Sequence, residues 1–171
     1  FYTKDPVKTT ADFKGKKLRI YSKATQKMGE MLGFNATILP FAEIPQAFAT
    51  GLIEALFTSP QTGIDIQAWD NTKYFTYAGA ILSKNVIVVS KKAFNALPKK
   101  AQDALVAAGQ RASKNAWKMS AATLESQMKM LADKGMVVGD APTQVIDEMK
   151  NVGKTMLEQW RKEASPEGNK V

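Results

Sequence analysis

Cysteine and histidine are both absent from the 171 residues. Their absence removes thiol catalysis, Ser-His relays, histidine general bases and zinc sites built from the usual ligands. It also leaves no disulfide framework, so cysteine usage fits a cytosolic or a bacterial periplasmic compartment equally. No run of about 18 apolar residues is present to read as a membrane span. The opening Phe1-Tyr2-Thr3-Lys4 has no basic start followed by an apolar run, so no signal peptide is visible. A Gly-rich phosphate loop is missing too, as are internal repeats and low-complexity tracts.

What is present is enough apolar residue for a core, 44% of the chain, in one domain or slightly more. The net charge of +8 favours anionic partners: nucleic acid, an organic anion, or water over a basic surface. The lysines are scattered (Lys14, Lys16, Lys17, Lys23, Lys27, Lys84, Lys91, Lys92, Lys99, Lys100) and are not interleaved with aromatics. No element that reads bases accompanies them, so nucleic acid is not expected as a partner.

Leu18 to Pro60 has the pattern β-α-β-α-β of an open α/β sheet. The expected strands are Lys17 to Tyr21, Asn35 to Leu39 and Ile53 to Phe57. Ser22 caps a helix from Lys23 to Leu32 that Gly33 stops, and Ala42 to Thr50 forms a short helix with Pro45 in its first turn. Ligands of such sheets bind beyond the carboxyl ends of the strands. Arg19 and Thr58-Ser59 sit at or near such ends and are the first candidate contacts. Phe1 to Gly15, broken by Pro6 and Thr9-Thr10, reads as a lead-in without a long element. Further strands are expected at Lys73 to Ala78, Asn85 to Ser90 and Met136 to Val138, with Gln61 to Asn71 helical or irregular. Ser90 caps Lys91 to Ala96.

A long helix follows, from Pro98 to Lys134, with apolar residues at steps of three and four. At about 1.5 Å per residue it measures roughly 55 Å. A compact lobe of this size is on the order of 30 to 35 Å across, so the helix is expected to reach beyond one lobe or bend. A last helix is expected from Thr143 to about Glu163. Trp117 and Trp160, at helical spacing, are expected in the core, and Glu54 reads as a structural acid.

The ordered set Asp12-Phe13-Lys14-Gly15-Lys16-Lys17-Leu18-Arg19, Pro40-Phe41-Ala42-Glu43, Ala47 to Glu54, Lys73-Tyr74-Phe75-Thr76 and Val89 to Pro98 resembles one family. It is that of the DctP-type solute-binding proteins of tripartite ATP-independent periplasmic (TRAP) transporters. The resemblance covers nearly the whole chain but only the C-terminal half of a family member. It implies a periplasmic-binding-protein-like α/β lobe with an open, mostly parallel sheet flanked by helices. A long lobe-crossing helix belongs to it, and the second lobe is largely absent. On this basis residues 1–83 and 124–171 form the C-terminal ligand-binding lobe, and 84–123 cross to the missing N-terminal lobe.

The function implied is capture of a small organic carboxylate in the periplasm, with the signal peptide removed, and delivery to the TRAP membrane permease. Neither catalysis, cofactor nor metal is implied. By the resemblance Arg19 holds the ligand carboxylate, a role that suits its planar fork. Read alone, Arg19 is more often a solvated strand-end cation or one paired with an acid. Phe41 falls where a phenylalanine packs beside the ligand, or else it is core. Thr58 falls where many members carry an asparagine that contacts the ligand, and Ser59 follows it. Ser22 is either a polar ligand contact or the helix cap, with the cap favoured. Trp69 either lines the cleft or packs within the lobe. Two other readings stay open: an α/β enzyme acting on an anion, and a basic interaction module. Without the first lobe, the Asn85 to Ser90 strand is expected to be covered by a second copy or by the N-terminal piece.

Overall fold

The computed structural model describes residues 1–81 and 86–168. The chain divides into two compact units, Phe1–Ala80 with Met128–Val171, and Ile81–Gln127. The division expected between residues 83 and 84 lies outside the described residues.

The first unit is built on a mixed sheet of strands β1 (Tyr2–Thr3), β2 (Lys17–Ile20), β3 (Asn35–Ile38), β4 (Ala55–Leu56), β5 (Tyr74–Tyr77) and β6 (Val137–Asp140), in the order β3-β2-β4-β1-β5-β6. β2 pairs in parallel with β3 and β4, and β5 with β6, whereas β1 runs antiparallel to β4 and β5. All strands but β1 therefore point the same way, and their carboxyl ends share one edge. The lead-in expected at Phe1 to Gly15 is corrected at this point. Its Tyr2 and Thr3 form a central, buried strand. Two residues are too few to show a period of two, and both partners of β1 lie more than fifty residues away at Leu56 and Phe75.

Strand alternation sends side chains to the two faces in turn. Leu18 and Ile20 of β2, with Ala55 and Phe57 around β4, join Phe1, Phe13, Phe34, Met28, Val145 and Met149 in one core. That face is covered by helices α1 (Lys23–Met31) and α6 (Thr143–Glu163), and by a 3-10 turn at Thr10–Phe13 whose Thr10 hydroxyl donates to Glu148 of α6. Phe13 packs on Phe34 and Phe1 at centroid distances of 4.4 and 4.8 Å. Leu56 faces the other core with Tyr2, Ile44, Phe48, Phe75, Leu131 and Met136. It lies under α2 (Ile44–Ala49), α3 (Pro60–Asp65) and the last turns of α5 (Lys99–Asp133). Each fully buried large apolar side chain in these layers contributes about 1.5–3 kcal/mol.

Local chemistry sets the helix ends. Ser22 Oγ accepts from Thr25 N–H, and Gly33 takes φ +96° just past α1. Pro45 sits in the first turn of α2, where its missing N–H has no intrahelical partner to lose.

The second unit holds α4 (Lys91–Asn95), capped by Ser90, and the front of α5. The strand expected at Asn85 to Ser90 is not formed over Val86–Ser90, and Asn85 lies outside the described residues. β-branched composition favours a strand only where a partner strand completes the ladder, and none pairs with Val86–Ser90 among the described residues. Trp117 and Trp160 are also corrected: Trp117 is 62% exposed and Trp160 about half exposed. Helical spacing gives these residues a common face but does not cover it.

Candidate functional site

The site is the carboxyl edge of β2, β3 and β4. The connection leaving β2 turns to β3 on one side, and the chain leaving β4 proceeds toward β5 on the other. Between β2 and β4 the winding reverses, which opens a crevice beyond their carboxyl ends. The segments following the two strands, Tyr21-Ser22 and Phe57-Thr58-Ser59, flank it.

Arg19 is the charge placed there. It is in register with Leu56 on β4 and Thr37 on β3, and its side chain leaves β2 on the face opposite Leu18 and Ile20. The residue is only 4% exposed. Its Nε and Nη2 both donate to the carbonyl of Leu39, just past β3, at 3.0 and 2.8 Å. Among the described residues no carboxylate lies within ion-pair distance of it. Burial pulls its pKa below the ordinary arginine value, and the guanidinium is still charged at neutral pH. Nη1 makes no described hydrogen bond, yet it is not sealed from solvent. A buried cation held by one neutral carbonyl is costly unless an anion completes it.

Tyr21 stands beside this group, its ring centroid 5.9 Å from Arg19 Cζ. The sequence reading missed Tyr21. The signal was available, since residues two apart on a strand share a face.

The other expected contacts fall as follows. Phe41 opens the 3-10 turn Phe41–Glu43 just after Leu39 and Pro40, and it is 51% exposed, so it is not core. Thr58 is half-buried directly after β4, and its hydroxyl makes no described hydrogen bond. Ser59 is exposed and caps α3, accepting from Thr62 N–H at 3.1 Å. Its carbonyl accepts from the Tyr2 hydroxyl at 3.1 Å, which ties the turn after β4 to the central strand. Ser22 spends its hydroxyl on Thr25, so the cap accounts for it. Trp69 is not brought to this edge. It lies in the turn that enters β5 at its amino end, packs on the second core, and has Lys134 Nζ 5.5 Å from its ring centroid. Of the two readings of Trp69, the packing within the lobe is the one these contacts describe.

The edge thus offers one buried cation, a phenol, the Thr58 hydroxyl and an exposed phenyl ring. No group of three or more potential metal-ligating side chains occurs among the described residues. None of the described helices is long and apolar enough to cross a membrane.

Solved structures with this architecture are close in sequence. DctP7, a Bordetella pertussis extracytoplasmic solute receptor binding pyroglutamic acid, matches with TM-score 0.91 and 37% identity over 98% of this chain and 56% of its own. DctP6 from the same organism, also a receptor binding pyroglutamic acid, matches with TM-score 0.94 and 35% identity over 98% and 56%. A marine metagenome TRAP solute-binding protein specific for pyroglutamate matches with TM-score 0.91 and 29% identity over 98% and 55%. The chain thus spans little more than half the length of these relatives. The family model for bacterial extracellular solute-binding protein family 7, DctP, matches residues 1–163. With nearly the whole chain matched, the protein belongs to family 7 of the bacterial extracellular solute-binding proteins, the DctP family of TRAP solute receptors.

Proposed function

We propose that this chain forms the ligand-binding lobe of a periplasmic TRAP receptor, which captures a small organic carboxylate and delivers it to the membrane permease without chemical turnover. The observation that carries the reading is Arg19: a buried guanidinium at the carboxyl edge, paired with no described acid, with Nη1 left over after Leu39 is served. A carboxylate meeting that fork gains charge-assisted bonds that are roughly twice as strong as neutral ones. Thr58 and Phe41 supply a hydroxyl and an apolar wall at the same edge. Pyroglutamate, the acid bound by the three receptors described above, is the first ligand to test. Residues 84–123 lead to the rest of the receptor, which supplies the opposing wall of the cleft.

The test is a melting series on the full protein that contains this segment, with pyroglutamate and a panel of small carboxylates. A ligand at about 100 times its Kd adds about 2.7 kcal/mol of stability. For a protein nearly twice this length that raises the Tm by roughly 3 to 5 °C. Arg19→Ala should abolish the shift. If no acid raises the Tm, or Arg19→Ala leaves the shift intact, the reading fails.

A further inference from the structure

We propose that Tyr21 is a positioning residue: its ring holds the Arg19 guanidinium in the orientation that receives the ligand carboxylate. The proposal rests on the reading of Arg19 as the carboxylate fork and goes beyond it by naming what aims the fork.

Three observations converge on Tyr21. Placement comes first. β2 ends at Ile20, Tyr21 is the next residue, and its ring centroid lies 5.9 Å from Arg19 Cζ. That is within the reach of an attraction between a cation and an aromatic face, about 6 Å.

The second is the tether. Both donors that Arg19 spends go to the single oxygen of Leu39. One acceptor fixes the distance of the guanidinium from β3 but does not by itself fix the tilt of its plane. No described acid supplies a second anchor. The Tyr21 ring is the group positioned to do so.

The third is exposure. Tyr21 is 43% exposed, whereas Leu18 and Ile20 in the strand before it are sealed. Its hydroxyl makes no described hydrogen bond. The ring therefore contributes little to the core, and its contact with Arg19 lies where solvent, and a ligand, can reach. In the absence of an acid partner the ring's negative face also offsets part of the cost of burying the cation.

The experiment uses the full protein labelled with 15N at arginine. The Arg19 Nε–H resonance is assigned by its loss in Arg19→Lys. Its hydrogen exchange is read together with pyroglutamate affinity by calorimetry in wild type, Tyr21→Phe, Tyr21→Leu and Tyr21→Gln. Tyr21→Leu and Tyr21→Gln should each speed Arg19 Nε–H exchange and weaken pyroglutamate binding by about tenfold. Tyr21→Phe should restore both to within about twofold, because the ring rather than the hydroxyl makes the contact. A purely structural loss would lower affinity without rescue by phenylalanine and without a selective change at Arg19. Binding that depends on Arg19 but is indifferent to Tyr21→Leu overturns the proposal and leaves the functional reading standing. So does an Arg19 Nε–H exchange rate that Tyr21→Leu leaves unchanged. Failure of wild type to bind any carboxylate of the panel overturns the functional reading and takes the proposal with it.

Discussion

At the scale of single residues, Tyr2 and Gly63 fix the turn that carries Thr58 and Ser59. Tyr2 is fully buried, and its hydroxyl donates to the carbonyls of Ser59 and Pro60 at 3.1 and 3.4 Å. Burial pushes the phenol pKa up, so it stays a donor at any ordinary pH. Gly63 of α3 lies directly against the ring. A Cβ there would stand 2.0 Å from the hydroxyl oxygen, 2.3 Å from Cζ and 2.6 Å from Cε1. Gly63→Ala is therefore expected to destabilise by about 1–3 kcal/mol through overpacking. Tyr2→Phe should cost only about 0.5–1.5 kcal/mol, the worth of a hydrogen bond. The double variant should not recover stability, because the ring carbons still clash after the oxygen is gone. Urea unfolding measures all three, and a Gly63→Ala protein as stable as wild type would refute the packing. Neither residue stood out in the sequence, since a glycine inside a helix and a tyrosine near the start carry no local signature. Arg19 was legible because its strand was. Its partner was not, because the carbonyl of Leu39 has no residue type to betray it.

At the scale of elements, the 3-10 turn Thr10–Phe13 shows how one carboxylate seats a segment. Asp12 Oδ2 accepts from the backbone N–H groups of Lys8 and Thr9 at 2.8 and 2.9 Å, and Phe13 next to it is sealed in the core. The hydrogen bonds from Thr9 and Lys8 hold the Asp12 carboxyl below the usual carboxylate range, with a lesser contribution from the charge of Lys16. A depressed folded value means that the stabilisation is fully present above the unfolded pKa, about 3.9, and is lost as pH falls through the folded value. Asp12→Asn is expected to lower the urea midpoint at pH 7, and the gap to wild type should shrink at pH 3. An equal gap at both pH values would show that the charge is irrelevant. The turn at Asp12 to Gly15 and the caps at Ser22 and Ser90 were readable because capping is local chemistry. Strand β1 and the unformed strand at Val86–Ser90 were not, for opposite forms of one reason. A strand exists through its partners, so Tyr2–Thr3 is made by β4 and β5, while apolar Val86–Val89 has no partner strand among the described residues.

At the scale of the whole molecule, that ribbon opposes the net charge. Val86, Ile87, Val88 and Val89 are all exposed, Ile87 at 99%. Burying such a side chain against another surface is worth about 1.5–3 kcal/mol, so four in a row favour association. A charge of +8 resists it by repulsion between copies. The balance depends on salt, because the screening length falls from about 30 Å at 0.01 M to about 10 Å at 0.1 M and about 3 Å at 1 M. The 171-residue chain on its own is therefore expected to sediment as monomer in low salt and to self-associate as sodium chloride rises. Ile87→Lys should restore the monomer, since it removes the most exposed apolar group and adds one more repelling charge. In the full protein containing this segment the ribbon should instead be covered by the remaining polypeptide, whose share of the length of the relatives is close to half. There Ile87→Lys should lower the Tm and leave sedimentation unchanged, because a charge placed in a covered apolar seam destabilises the fold. Sedimentation velocity on both forms across the salt series decides the matter. A chain that stays monomeric in 1 M salt, or self-association unaffected by Ile87→Lys, would show that the ribbon is not what the charge holds apart.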